Sequence, residues 1–311
     1  NDRKGGNHPM FRSNTGMSRA LVRRETTAGY LFLLPSLFFF VTFVLYPMFL
    51  CIYTSFFDSN MGKNAVDVFV GLGNYKELFQ DKLFLGALKN TVVIVVVAVP
   101  TVCAFSLWVA TAIYDMKPAL TSAFRCIFYL PVVTGSVAVT VVWKWMYNSR
   151  YGVFNYLFKS LGIIDQNINW LGDARFALWC IILILFTTSV GQPIVLYVSA
   201  LGNVDHSLVE AAQVDGANRR QVFWKIKWAQ IMPTTLYILI ITTINSFQCF
   251  ALIQLLTSGG PTHSTDTIMY YIYYTAFKLY RYGYGNAMGV VLMIIIAVLS
   301  AVQFKLGQQS D

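Results

Sequence analysis

Two groups of polar residues interrupt an otherwise apolar chain, and their types suit contact rather than catalysis. The first runs from Asp205 to Pro233 and contains Glu210-Ala211-Ala212, Asp215-Gly216-Ala217, Phe223 and Ile226. Ser207 and Glu210 have the S-x-x-E spacing of a capping box, which predicts a short helix opening at Ser207. Gly216 suits the turn that closes it, and Asn218 is placed to cap a second short helix. Val222, Phe223 and Ile226 then share one face of that second helix. The expected product is a helix-turn-helix elbow lying parallel to the membrane, small enough to insert into a groove on another protein. Glu210 serves its own helix if it only caps, yet a cap uses few of a carboxylate's acceptor sites.

The second group lies further along. Thr242, Asn245, Ser246 and Cys249 recur at i, i+3, i+4 and i+7, one face of a helix, with Gln248 beside it. Thr187, Thr188, Ser189 and Gln192 cluster just before Pro193. Facing lipid, such groups are costly, so they face either a neighbouring helix or a wet path. Neutral amides and hydroxyls match the hydroxyls of a sugar, and Phe247 offers a ring to stack on one.

No set of residues for bond-breaking chemistry accompanies them. The three histidines, His8, His206 and His263, all fall outside the apolar blocks, and no G-x-x-x-x-G-K-[ST] phosphate loop is present. Cys51, Cys103, Cys126, Cys180 and Cys249 sit in apolar segments without a CxxC pair and read as small hydrophobes, not metal ligands. The chain is therefore expected to be no enzyme and to bind no cofactor itself.

The elements that must position these groups are membrane helices. Of 311 residues, 56% are hydrophobic and 12% charged, about half the charged share of a soluble domain. Six stretches supply the roughly 20 apolar residues that a spanning helix needs, near 29–57, 87–114, 121–147, 174–200, 232–257 and 284–306. β-Barrel strands alternate every second residue, which these blocks do not. The expected fold is all-α and polytopic: a basic N-terminal segment over 1–28, a six-helix body over 29–306 with the elbow at about 202–231, and a tail over 307–311. Arg19, Arg23 and Arg24 precede the first span and place both termini in the cytoplasm. The leading segment is polar and basic, unlike a cleavable signal peptide, and Met10 and Met17 are its candidate native starts. The net charge of +9 is scattered between the blocks, which suits loop orientation and anionic lipid, not nucleic acid.

No Asp or Glu lies inside any span. Lys89, Arg125, Lys144 and Arg175 lie near span ends, where long basic side chains snorkel to headgroups. A proton-driven carrier needs a titratable intramembrane group, so energy for uphill transport is expected through a partner. Sodium coupling through carbonyls and hydroxyls stays open, and a self-contained secondary carrier or channel for a neutral polar solute is the alternative.

The elbow resembles the signature of permease subunits of binding-protein-dependent ABC importers: E-A-A, D-G-A, an aromatic, Ile and a closing Pro, here Glu210-Ala211-Ala212, Asp215-Gly216-Ala217, Phe223, Ile226 and Pro233. The family usually has a second proline where Ala229 stands, and often a base at Met232. Gly152 through Trp170-Leu171, Leu255 through Pro261, and Leu33-Leu34-Pro35 with Tyr46-Pro47 are similar to the carbohydrate-uptake type, especially the first permease of maltose, lactose or glycerol-phosphate systems. The resemblance implies residence in a bacterial or archaeal cytoplasmic membrane. It implies as partners a homologous second permease, an external solute-binding protein, and an ATPase dimer that holds ATP and Mg. It assigns coupling to Glu210, Ala211, Ala212, Asp215, Gly216, Ala217, Phe223 and Ile226. Sugar contact falls to Thr188, Ser189, Gln192, Thr242, Asn245, Ser246 and Cys249.

Overall fold

The computed structural model describes residues 19–59 and 67–308. The expected N-terminal segment before Arg19 and the tail beyond 308 lie outside the described residues. The chain divides into two units, the second starting at Ile52. The first holds helix α1 (Arg19–Phe40), a π-helical turn (Val41–Leu45) and the start of α2 (Tyr46–Thr54).

The second unit opens with a two-stranded antiparallel ribbon, β1 (Phe57–Asp58) against β2 (Val68–Phe69), with Phe57 opposite Phe69. This ribbon is a small departure from an all-α fold. After α3 (Gly73–Leu78) comes α4 (Lys82–Ile113). It begins five residues before the expected span because Asp81 caps it, accepting from the Leu83 and Phe84 N–H groups at 2.8 and 3.3 Å.

The expected third span is two helices rather than one. α5 (Pro118–Val133) and α6 (Ser136–Met146) meet at 94°. Pro131 removes a helix donor, and Thr134 and Gly135 between the helices are extended, with ψ of 128° and 139°. A short helix, α7 (Val153–Ser160), precedes α8 (Ala177–Ser189) and α9 (Gly191–Gly202). The elbow holds α10 (His206–Val214) and α11 (Arg219–Val222). A π-helical turn (Phe223–Lys227) carries α11 directly into α12 (Trp228–Phe247). α13 (Ala251–Leu256), α14 (Ile268–Tyr273), a π-helical turn (Tyr274–Lys278) and α15 (Tyr282–Gln308) complete the order. Among the described residues, five helical segments are long and apolar enough to cross a bilayer, and six if the bent α5–α6 pair counts as one span.

In lipid, helices associate by close packing, since hydrocarbon solvates apolar side chains as well as protein does. One buried cluster joins α4, α9 and α12 through Val102, Val109, Ile194, Tyr197, Ile231 and Ile238. A second gathers α3, α4, α14 and α15 around Leu78, Phe84, Tyr271, Tyr284 and Met288, and takes in Phe247. A third sits between α8 and α13.

Candidate functional site

The elbow forms by local capping, with one correction. Asp205, not Ser207, caps α10, accepting from the Ser207 N–H at 2.9 Å. The Ser207 hydroxyl and backbone hold the Asp205 carboxyl below its usual range. With the helix starting at His206, Ser207 lies inside the first turn, so Glu210 completes no capping box there. Gly216 closes α10 at φ +83°, in the left-handed region. Its N–H donates to the Gln213 carbonyl (3.0 Å), and Ala217 N–H to Ala212 (2.9 Å), a Schellman closure that satisfies the last carbonyls. Asn218 caps α11 in a full capping box with Gln221, both bonds at 2.9 Å.

The second elbow helix is not free-standing, because α11 runs without a break into α12. Val222 is buried, Phe223 and Ile226 are half-buried, and Trp224 is exposed. The start of α10 is pinned to the same long helix, where the Gln230 side chain accepts from the Asp205 N–H at 3.0 Å. Of the expected coupling residues, Glu210, Ala211, Asp215 and Gly216 are exposed, while Ala212 and Ala217 are half-buried. Val214, one turn on from Glu210, is 87% exposed, and Leu208 adds apolar surface elsewhere on the same helix.

Further along α12 the polar groups converge. Thr188, Ser189, Gln192, Thr242 and Asn245 line one cavity of about 150 Å³, walled also by Val132, Pro193, Leu196 and Ile241. Thr188 spends its hydroxyl on the Ile184 and Leu185 carbonyls of its own helix (3.0 and 3.1 Å). Ser189, Gln192, Thr242 and Asn245 show no side-chain hydrogen bond among the described residues. Their donors and acceptors are left for whatever occupies the cavity.

Two expected members stand apart. Ser246 is buried without lining the cavity, and α12 ends at Phe247, so Cys249 lies past the helix on which its i+7 position was counted. Cys249 packs in the cluster with α8 and α13, and its carbonyl accepts from Thr267 Oγ1 at 2.8 Å. Phe247 is 1% exposed within the α4–α15 cluster, so it offers no stacking face. The sequence reading missed Val132, because the wall it forms depends on the bend after α5.

Backbone contact fixes the cavity's shape. A methyl group at Gly191 would sit 2.3 Å from the Phe128 carbonyl oxygen, so α5 and α9 meet there at glycine distance. The Val190 carbonyl beside it accepts from Ser106 of α4 at 3.2 Å. On α12, Thr243 accepts from Gln303 of α15 at 2.9 Å.

At the opposite end from the elbow, Asp81 joins three helices. Beyond its capping bonds it accepts from the Tyr271 and Tyr284 hydroxyls at 2.7 and 2.9 Å. Burial works to raise its pKa, but these hydroxyls and the Leu83 and Phe84 N–H groups outweigh it and lower it below the usual value. Arg281 lies over the Tyr284 ring and forks onto Glu77, both bonds at 2.8 Å.

The family model described as "Binding-protein-dependent transport system inner membrane component" matches residues 82–308. The lactose transport system permease protein LacF of Rhizobium radiobacter is 32% identical over 92% of this chain and 95% of its own length. The multiple sugar-binding transport system permease protein MsmF of Streptococcus mutans is 32% identical over 91% and 96%. The crystal structure of a bacterial ABC transporter involved in the import of the acidic polysaccharide alginate aligns with a TM-score of 0.77 at 24% identity. The alignment covers 93% of this chain and 97% of that one, a likeness of fold.

Proposed function

The chain belongs to the binding-protein-dependent transport system inner membrane components, and from that premise we propose that it forms half of the translocation pathway of an ATP-driven saccharide importer. Members are multi-pass permease subunits and not enzymes themselves; the ATPase is a separate subunit. A homologous second permease completes the pathway, an external solute-binding protein delivers the cargo, and ATP with Mg stays on the ATPase dimer. The site is the bacterial or archaeal cytoplasmic membrane, with both termini and the elbow inside.

The observation that carries this reading is mechanical continuity. The elbow and the polar cavity share one helical run, from Arg219 through the π-helical turn to Phe247. Displacing the elbow therefore displaces Thr242 and Asn245. Glu210, Ala211, Asp215 and Gly216, beside the exposed apolar surface of Leu208 and Val214, form the face that docks on the ATPase. A sugar suits the cavity because neutral donors and acceptors there lack partners among the described residues, and because LacF and MsmF are named as sugar permeases. Family membership does not favour a self-contained carrier.

The test is co-purification with the neighbouring subunits and reconstitution into liposomes. Saccharide uptake should require ATP, the ATPase and the receptor together. Accumulation by this chain alone under an ion gradient would overturn the proposal.

A further inference from the structure

A second cavity, of about 440 Å³, opens between α5 and α9, lined by Arg125, Cys126, Tyr129, Gln192, Val195 and Leu196. Gln192 and Leu196 also line the polar cavity, so the two spaces share a wall. Arg125 lies seven residues into α5, about 10 Å of helix rise from Pro118. Its Nε is buried without a hydrogen-bond partner, while the residue as a whole is half-buried. None of its other nitrogens bonds to a described residue, and none of the candidate spans contains Asp or Glu.

A guanidinium stays charged in proteins, so even partial burial cannot neutralise it as it neutralises a lysine. A buried, unpaired donor on a permanent cation is costly, and the cost falls when an anion arrives. The other side chains lining the two cavities are neutral. The combined space thus presents one fork-shaped cation beside a set of amide and hydroxyl groups.

We propose that Arg125 makes the pathway selective for acidic saccharides. The guanidinium donates to a cargo carboxylate, while Gln192 at the shared wall and Ser189, Thr242 and Asn245 beyond it serve the sugar hydroxyls. This assignment rests on the reading of the polar cavity as cargo path.

The test uses the complete transporter in phosphatidylcholine nanodiscs with the receptor omitted, since the receptor imposes its own selection. The probes are cellobiouronic acid and cellobiose, which differ by a carboxylate in place of a CH₂OH group. Titration calorimetry should show the acid bound about 10- to 100-fold more tightly, the range of one hydrogen bond to a charged group. Arg125→Gln should abolish that preference, while Arg125→Lys keeps part of it. Equal affinities in the wild type, no binding of the acid at millimolar concentration, or a preference surviving Arg125→Gln overturns the assignment. So does an Arg125→Gln effect seen only as lost stability in phosphatidylglycerol discs, which would place the guanidinium on lipid headgroups. Asn245→Leu separates the two readings. If it weakens both probes while charge preference is absent, only the Arg125 assignment fails; if it changes neither, the cargo path itself fails.

Discussion

Lys227 holds its ammonium 4.4 Å from the centroid of the Tyr114 ring and donates to the Tyr114 hydroxyl, tying the base of α12 to the end of α4. A hydrogen bond from a charged donor contributes about 1.5–3 kcal/mol. Lys227→Met should therefore lower ATP-driven uptake several-fold at unchanged protein level, and Tyr114→Phe should follow it because the acceptor hydroxyl is lost. Receptor-stimulated ATPase and uptake measured side by side check this. Wild-type coupling in Lys227→Met would remove the contact from the transmission path.

Gly216 separates conformational need from space. Beyond its two chain neighbours no atom comes within 4 Å of where a Cβ would stand, so only the positive φ resists a side chain. Gly216→Ala should cost about 1 kcal/mol and leave most uptake intact. Gly216→Pro cannot adopt φ +83° and loses the bond to Gln213, so uptake should vanish while membrane insertion persists. Equal activity in both variants would mean that the elbow's shape is irrelevant to transport.

At Gly191 the obstacle is space. A methyl group 2.3 Å from the Phe128 carbonyl oxygen must push α5 from α9. Gly191→Ala should lower the thermal midpoint of the purified complex by several degrees, an overpacking cost of about 1–3 kcal/mol. Sugar uptake should fall as well. An unshifted midpoint would show that the two helices are not locked there.

Asn245→Leu removes an unpaired amide from the cavity without touching the elbow. Its expected signature is an altered cargo range or a several-fold higher apparent KM, with basal ATPase retained. Wild-type kinetics across several saccharides would take Asn245 out of the pathway.

Asp81 sets a pH dependence. Its folded pKa is lowered, so its contribution to stability is complete above the ordinary carboxylate value of about 3.9 and fades as pH falls below it. Asp81→Asn should be less stable than the wild type at pH 7, and the gap should close in acid. Thermal melts of both proteins between pH 3 and 7 measure it; a constant gap would exclude ionisation as the source.

The membrane helices were legible because apolar length alone dictates a span, and the elbow because its glycine and Asn218 have few other uses. The α5–α6 bend was not. Pro131 is one of several prolines in or beside spans, and α1, α4 and α12 contain prolines inside continuous helices. At the start of α10, Asp205 and Ser207 are both good caps two residues apart, and spacing alone does not choose between them. Cys249 was misplaced because the periodicity was extended past Phe247, where the helix ends. Arg125 was read as snorkelling; only the neighbouring cavity reveals a buried, unpartnered nitrogen.

The 94° joint between α5 and α6 carries one more consequence. α5 rests on α4, α8 and α9, whereas α6 rests on α7 and α13, so its two arms answer to different neighbours. Tilting α9 can carry α5 along while α6 stays with its own group. Two arms joined by one sharp bend can thus follow separate neighbours, so movement of one helix group need not drag the other.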